Sequence, residues 1–469
     1  MSELERMRQA GRVHLIGIGG AGMSAVAALL VARGLQVSGS DSREGVALQG
    51  LRDAGIRVHV GHSAENVEGA GTVVVSSAIR PTNPELARAR ELDLPVLHRS
   101  VALAALMSGR RSVAVAGAHG KTTTSAMIAV TLAHAGLDPS YAIGGTVLTG
   151  AVAVVGGAHD GRGDVFVAEA DESDGSFLAY TPSIAVVTNI EPDHLDHYGS
   201  RAAFEAAFVA FAGRIEPGGW LVACADDPGA ATLAATVRSA GTHVRTYGTG
   251  PDADVRVGPW LTSSGVTGGS TTVQEPGGRP VDLDLTVPGA HNALDAAAAW
   301  VVARLLGVDE LTAAQGLGTF HGTGRRFEER GSAGGVRVVD DYAHHPTEVA
   351  ALLRAARQVA GTGRVLVLFQ PHLYSRTVTF AQEFADALGL ADVVVVTGVY
   401  GAREDPDPAV TGALIADRVT GSAQVQYVAD RHAAAVAVGR LARPGDLVLT
   451  VGAGDVTALA PIVLRAVPR

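Results

Sequence analysis

Short apolar runs that end in glycine or a polar turn recur along this chain, separated by stretches with helical spacing of apolar residues. In the first stretch Val13–Ile18, Leu35–Ser40, Val73–Val75 and Pro95–Leu97 read as strands, and Gly22–Arg33 as a helix. A second series opens with strand Ser112–Ala116, a glycine turn and a helix over Lys121–Ala135, followed by strands Val165–Ala168 and Ile184–Thr188. From about Asp252 to Val287 the text changes to strict alternation with Gly, Ser and Thr turns, which predicts an antiparallel flank. A third series begins near Thr323, with strands Val336–Val339, Val365–Phe369, Val393–Thr397 and Leu447–Val451. Strands without alternation are buried on both faces, so the alternating strand–helix text predicts largely parallel sheets with ligand sites at the strands' carboxyl ends.

At 469 residues the chain exceeds one core and suits three α/β domains, expected over 1–108, 109–322 and 323–469. The formal net charge of −10 argues against a nucleic-acid partner, which favours a basic surface. One cysteine, Cys224, excludes an internal disulfide and fits a reducing compartment. Arg6, Arg8 and Arg12 precede an apolar stretch as in a signal peptide, but Gly17, Gly19, Gly20 and Gly22 interrupt it. No apolar run reaches the ~18 residues of a spanning helix. A cytoplasmic protein without membrane insertion is expected, either a monomer or a homodimer. Lysine changes the picture most: all but one of the 37 basic residues are arginine, and the exception is Lys121. A compact ammonium is therefore expected to be needed there, where a guanidinium would not fit.

Gly17, Gly19, Gly20 and Gly22 form G-x-G-x-x-G between a strand and a helix, and Asp41 ends the next strand where a ribose-binding acid is expected. This Rossmann-like signature fits any diphosphonucleoside, so an NAD(P)-dependent oxidoreductase remains open at this point. The second loop, Gly117-Ala118-His119-Gly120-Lys121-Thr122-Thr123-Thr124, also lies between strand and helix. Its backbone N–H groups would cradle ATP phosphates, with Lys121 on the β/γ-phosphates and the Thr122 hydroxyl on Mg²⁺. Val115 stands where the general phosphate-loop pattern has its first glycine, so this is a shortened variant. Two strand ends nearby carry acids: Glu169-Ala170-Asp171-Glu172-Ser173-Asp174, and Asn189 through His197. Glu169 directly follows its strand and is the expected metal ligand, with His194 second. Most of the other acids are not expected to be ligands, since solvated turns hold acids too.

With these motifs in hand the chain resembles the murein ligases over nearly its whole length. The resemblance rests on the phosphate loop, Thr188-Asn189 with Asp193-His194-Leu195-Asp196, and Pro288-Gly289-Ala290-His291-Asn292. It continues through Gly324-Arg325-Arg326-Phe327-Glu328, Asp340-Asp341-Tyr342-Ala343-His344-His345-Pro346, Phe369 to Thr377, and Gly452-Ala453-Gly454-Asp455.

The resemblance implies an N-terminal Rossmann-like UDP-binding domain, a central P-loop ATPase-like domain and a C-terminal Rossmann-like domain for the amino acid. It assigns Gly17, Gly19, Gly20, Gly22, Asp41, His62, Ser76 and Ser77 to the UDP-substrate. Gly117, Ala118, His119, Gly120, Lys121, Thr122, Thr123, Asn292, Arg326 and Asp341 go to ATP. Thr122, Glu169 and His194 go to Mg²⁺, and Tyr342, His344, His372 and Arg376 to the amino acid.

Among its members the chain looks most like the one that adds L-alanine to UDP-N-acetylmuramate. Most later-acting members use a carbamylated lysine, and no lysine exists here outside the loop. A murein-tripeptide recycling ligase shares much of the pattern and remains the alternative. Lys121, His344 and Arg376 are the expected catalytic groups; His344 either accepts the amine proton or orients the substrate. Asp295, Ala118 and Leu373 depart from residues frequent in the family.

Overall fold

The computed structural model describes residues 1–149, 152–153, 157–193, 195–262, 267–402, 404–421 and 424–468. The chain forms two compact units. One comprises Met1–Pro259, Thr271–Leu283 and Leu294–His321; the other Trp260–Ser270, Asp284–Ala293 and Gly322–Arg469.

The first unit carries two sheets with parallel cores. In the first, strand Arg12–Ile16 is central, flanked by Val37–Asp41 and then Arg57–Val60 on one side. Ala70–Val75 and then Val96–His98 lie on the other, all parallel. The chain thus leaves Arg12–Ile16 at the point where strand order reverses, and the Gly17–Gly22 loop sits at that switch before helix Ala21–Ala32. In the second sheet Arg111–Ala116 lies between Val165–Glu169 and Ile184–Val187. Parallel strands continue outward through Ser140–Ala142 on one side, and through Trp220–Cys224, His243–Gly248 and Val255–Val257 on the other. Antiparallel strands close both ends: Ala158–His159 pairs with Ser140–Ala142, and Gly269–Gln274 with Val255–Val257, as the alternating text predicts.

Around this sheet the core is alanine- and valine-rich, with its aromatic weight in one place. Phe177 stacks on Phe211 at 4.8 Å and meets Phe208 edge-on at 5.3 Å, while Phe208 packs on Phe204. All four rings are fully buried.

The second unit has one six-stranded sheet in the order Glu328–Ala333, Val336–Asp341, Leu447–Val451, Val365–Phe369, Val393–Val396, Gln424–Tyr427. Only the first pairing is antiparallel. Period-two alternation divides its side chains between two cores. Val339, Val365, Val367, Phe369, Val394 and Val396 enter one; Val336, Val338, Leu366, Leu368, Val393 and Val395 enter the other. Three strands lack an apolar signature in the text: Arg57–Val60, Glu328–Ala333 and Gln424–Tyr427. Each is an edge strand, half exposed, where burial does not demand one.

Phe177→Ala removes the ring that Phe208 and Phe211 share. It is expected to cost about 3–5 kcal/mol, seen as a lowered unfolding midpoint of the full chain.

Candidate functional site

The buried strand Arg111–Ala116 delivers Gly117 to the carboxyl edge of its sheet, between two neighbours that end beside it. Gly117 has φ +137°, and a Cβ there would lie 2.1 Å from Thr188 Oγ1. Gly120, at φ +82°, would place a Cβ 2.6 Å from Asp295 Oδ1. Both positions need glycine for space as well as for conformation. The next strand's end ties the loop down. Thr188 Oγ1 donates to the His119 carbonyl at 2.5 Å, Asn189 Nδ2 to the same oxygen at 3.0 Å, and Asn189 Oδ1 accepts from His119 N at 2.9 Å. The His119 Nε2 lies 2.9 Å from Glu191. Asp295, a departure from the family's frequent residue, accepts from the buried Thr124 hydroxyl at 2.9 Å and so braces the same turn.

Helix Lys121–His134 begins directly after Gly120. The Lys121 ammonium donates to the Gly117 carbonyl at 2.6 Å, the Ala118 carbonyl at 3.3 Å and Glu172 Oε1 at 2.9 Å. Burial works against its charge, but Glu172, Asp171 and Glu169 outweigh that and raise its pKa. The Thr122 hydroxyl lies 3.1 Å from each carboxylate oxygen of Glu169, and Gly144 N donates to Glu169 Oε2 at 2.8 Å. Register explains the meeting: Glu169 pairs with Val115, two residues before the loop. Hydroxyl and carboxylate oxygens together fit a hard divalent cation, and glycine-lined backbone next to a lysine fits phosphate. His194, the second expected ligand, lies outside the described residues.

Glu172, in the acidic turn, is 1% exposed and ion-paired with Lys121; burial pushes its carboxyl above the usual range. Its burial follows from packing: Tyr198 donates to the Glu172 carbonyl. No local text announces that.

At the first loop Gly17 has φ +77°, and Gly19 N donates to Asp41 Oδ2 at 2.9 Å. Asp41, expected at a ribose, therefore also braces its own loop. His62 Nδ1 lies 3.2 Å from Glu85 Oε2, and Ser40 Oγ donates to the same oxygen at 2.5 Å. Glu85 is fully buried. Burial works to raise its carboxyl, but His14, Ser40 and Asn66 outweigh that and hold it at about 2. The Ser76 carbonyl accepts from Ile79 N, and the exposed Ser77 hydroxyl donates to Asp174.

The second unit gathers its own cluster. Asp341 ends a buried strand and accepts from Phe327 N and Ala343 N, both at 2.8 Å; burial pushes its carboxyl up to about 6 against the pull of Arg326. The Arg325 and Arg326 guanidinium groups lie 4.7 and 5.3 Å from the Tyr342 ring centre. Arg325 also donates to the Gly452 and Gly454 carbonyls at 2.6 and 3.1 Å, fixing that turn. His344 packs edge-on against His372 at 5.8 Å, and His372 stacks on Tyr400. Arg376 is buried in helix Tyr374–Thr379. Asn292 Nδ2 donates to the Pro288 carbonyl at 2.6 Å, at the start of helix Ala290–Leu305.

Glu348, absent from the expected site, ties this cluster together. It accepts from His344 N at 2.9 Å and His345 N at 3.2 Å, sits 3.3 Å from His344 Nδ1, and pairs with Arg326 at 3.5 Å. The available signal was its place three residues into helix Pro346–Ala360, where an acid satisfies helix-end donors. Burial first, then Arg376, His372 and Arg326, hold the His344 imidazole neutral, its pKa lowered to about 3 despite Glu348.

Three family models match in turn along the chain. Residues 12–111 match the Mur ligase family catalytic domain, 115–303 the Mur ligase middle domain, and 325–454 the glutamate ligase domain of Mur ligases. A UDP-N-acetylmuramate–L-alanine ligase of Kineococcus radiotolerans is 60% identical over 97% of this chain and 96% of its own. One from Saccharopolyspora erythraea is 55% identical over 98% and 94%. The crystal structure of the UDP-N-acetylmuramate–alanine ligase of Thermotoga maritima superposes with a TM-score of 0.81 at 31% identity, covering 97% of this chain and 98% of that one. A murein peptide ligase from Psychrobacter arcticus shares the fold, with a TM-score of 0.70 at 24% identity over 97% and 98%.

The neutral state of His344 has a consequence for stability. Its folded pKa lies below its unfolded one of about 6.5, so the unfolded chain binds the proton first. The associated stability is complete above pH ~6.5 and is lost as pH falls toward 3. Moving from pH 7.5 to 5 should cost wild type about 1–2 kcal/mol more than His344→Gln, measured by chemical unfolding at both pH values.

Proposed function

The chain belongs to the Mur ligase family, and we propose that it joins L-alanine to the carboxylate of UDP-N-acetylmuramate at the expense of ATP. The observation that carries this reading is the Lys121–Thr122–Glu169 group on a braced glycine loop, in a chain whose full-length relatives bear that name. Among solved structures the murein peptide ligases are 24% and 27% identical, against 31% for the alanine ligase, and sequence relatives at 50–60% identity bear the alanine ligase name. No helix among the described residues is long and apolar enough to cross a membrane. In the proposed reading the reaction serves peptidoglycan precursor synthesis in the cytoplasm.

In this reading residues 1–108 hold the UDP-sugar at Gly17, Gly19, Gly20, Gly22 and Asp41, with His62, Ser76 and Ser77 near it. Residues 109–322 hold ATP on the loop Gly117–Thr123, and 323–469 hold the amino acid among Tyr342, His344, His372 and Arg376. The substrate carboxylate takes the γ-phosphoryl group of ATP to become an acyl phosphate; the amine of alanine then attacks the acyl carbon, and phosphate leaves. Lys121, released from its carbonyl partners, places its charge on the transferring phosphoryl group, and the backbone N–H groups hold the rest. Mg²⁺, held by Thr122 and Glu169, would neutralise phosphate charge. His344, fixed by Glu348, orients the incoming amino acid. A positioned amine beside an activated acyl group is most of what the second step needs.

ADP release assayed with UDP-N-acetylmuramate across all amino acids tests the reading, and L-alanine should stand well above the rest. Release that requires NAD(P)H, or that ignores UDP-N-acetylmuramate, overturns it. Lys121→Arg should cost at least about a hundredfold in turnover with the fold intact, because the guanidinium is too wide for a place between two carbonyls and Glu172.

The two glutamates should separate in an Mg²⁺ titration. Glu169→Gln raises the concentration for half-maximal rate by about tenfold or more. Glu172→Gln leaves that concentration nearly unchanged and lowers the maximal rate through Lys121.

A further inference from the structure

The acidic turn after strand Val165–Glu169 sends its four carboxylates to four separate destinations. Glu169 meets Thr122 and Glu172 meets Lys121, both on the phosphate loop. Asp171 and Asp174 bond side chains from earlier in the chain. Asp174 accepts from Ser77 and lies 3.7 Å from His98 Nε2. Asp171 accepts from the Arg99 guanidinium, and Ser173 N donates to its other oxygen at 3.0 Å.

Arg99 is the first residue of helix Arg99–Met107, and its side chain is 24% exposed. It lies directly against the first glycine loop: a Cβ on Gly22 would stand 2.5 Å from Arg99 Nη1. Gly22 closes that loop's G-x-G-x-x-G pattern, so its lack of a side chain lets a forked cation reach the loop. Arg99 keeps further N–H donors besides the one given to Asp171.

We propose that Arg99 binds the diphosphate of the UDP-sugar, and that it does so by exchanging its Asp171 partner for phosphate oxygens. This rests on the reading of Gly17–Gly22 as the UDP-substrate loop. A guanidinium matches carboxylate and phosphate through the same bidentate geometry, so the exchange needs only side-chain rotation. Asp171 is then a competitor for the cation that the substrate requires. Its removal should help binding, whereas removal of a mere structural brace should harm it.

The test is calorimetric titration of the full chain with UDP-N-acetylmuramate, without ATP or Mg²⁺ so that the neighbouring Glu169 plays no part. Arg99→Ala should weaken binding by about tenfold or more, and Arg99→Lys by less, since it keeps the charge and loses the fork. Asp171→Asn should tighten binding by roughly threefold or more. The double variant should bind as Arg99→Ala does. UDP alone should show the same order, because the contact is with the diphosphate. Weaker binding in Asp171→Asn, with an unchanged melting temperature, overturns the exchange. Wild-type affinity in both Arg99 variants overturns the contact itself, whatever Asp171→Asn does. A wild-type chain that fails to bind UDP-N-acetylmuramate at all overturns the reading of the loop instead.

Discussion

One ammonium group facing three carboxylates sets the terms for the first unit. Lys121 keeps its charge so deep in the fold because Glu172, Asp171 and Glu169 surround it, and Asp171 in turn is held ionised by Arg99 and Lys121 together. Parallel pairing makes the arrangement possible: side-by-side strands Arg111–Ala116 and Val165–Glu169 end at the same height, so loop and acids emerge together. The third strand end, Thr188-Asn189, then holds the loop backbone from the opposite side. Three adjacent strands thus supply the phosphate cradle, its counter-charges and its brace.

The text announces what depends on neighbours in sequence and conceals what depends on neighbours in space. Val365–Phe369 and Leu447–Val451 are legible because a strand buried on both faces must be apolar throughout. Arg57–Val60 and Gln424–Tyr427 are not, since an edge strand is set by its partner's hydrogen bonds more than by its own side chains. Lys121, Thr122 and Glu169 stand out because each directly follows a strand or a glycine turn. Glu172 does not stand out, because its burial and its pairing with Lys121 are set by residues distant in sequence. Asp295 pairs with a residue 171 positions earlier, and no local pattern carries that information.

The second unit stores strain close to its cluster. Arg325, Phe327 and Leu373 are non-glycine residues with φ of +60°, +48° and +68°. Each conformation costs on the order of 1–3 kcal/mol and persists only where surroundings over-determine it. The surroundings are visible: Asp341 grips Phe327 N, and the Tyr400 carbonyl accepts from Leu373 N. The Arg325 side chain meanwhile clamps the turn at 452–454. This rigidity aims Arg326 between Tyr342 and Glu348 and keeps His372 beside His344.

The scarcity of lysine gives the protein a built-in chemical address. Apart from the chain's terminal amine, an amine-selective acylating reagent has one side chain to modify, and a lysine-specific protease one bond to cut, both inside the phosphate loop. The amine is protonated and held by two carbonyls and a carboxylate, so labelling requires the loop to open first. The rate of a single modification therefore reports on the opening of a single turn. Mass spectrometry of the intact chain could follow it with no engineered probe.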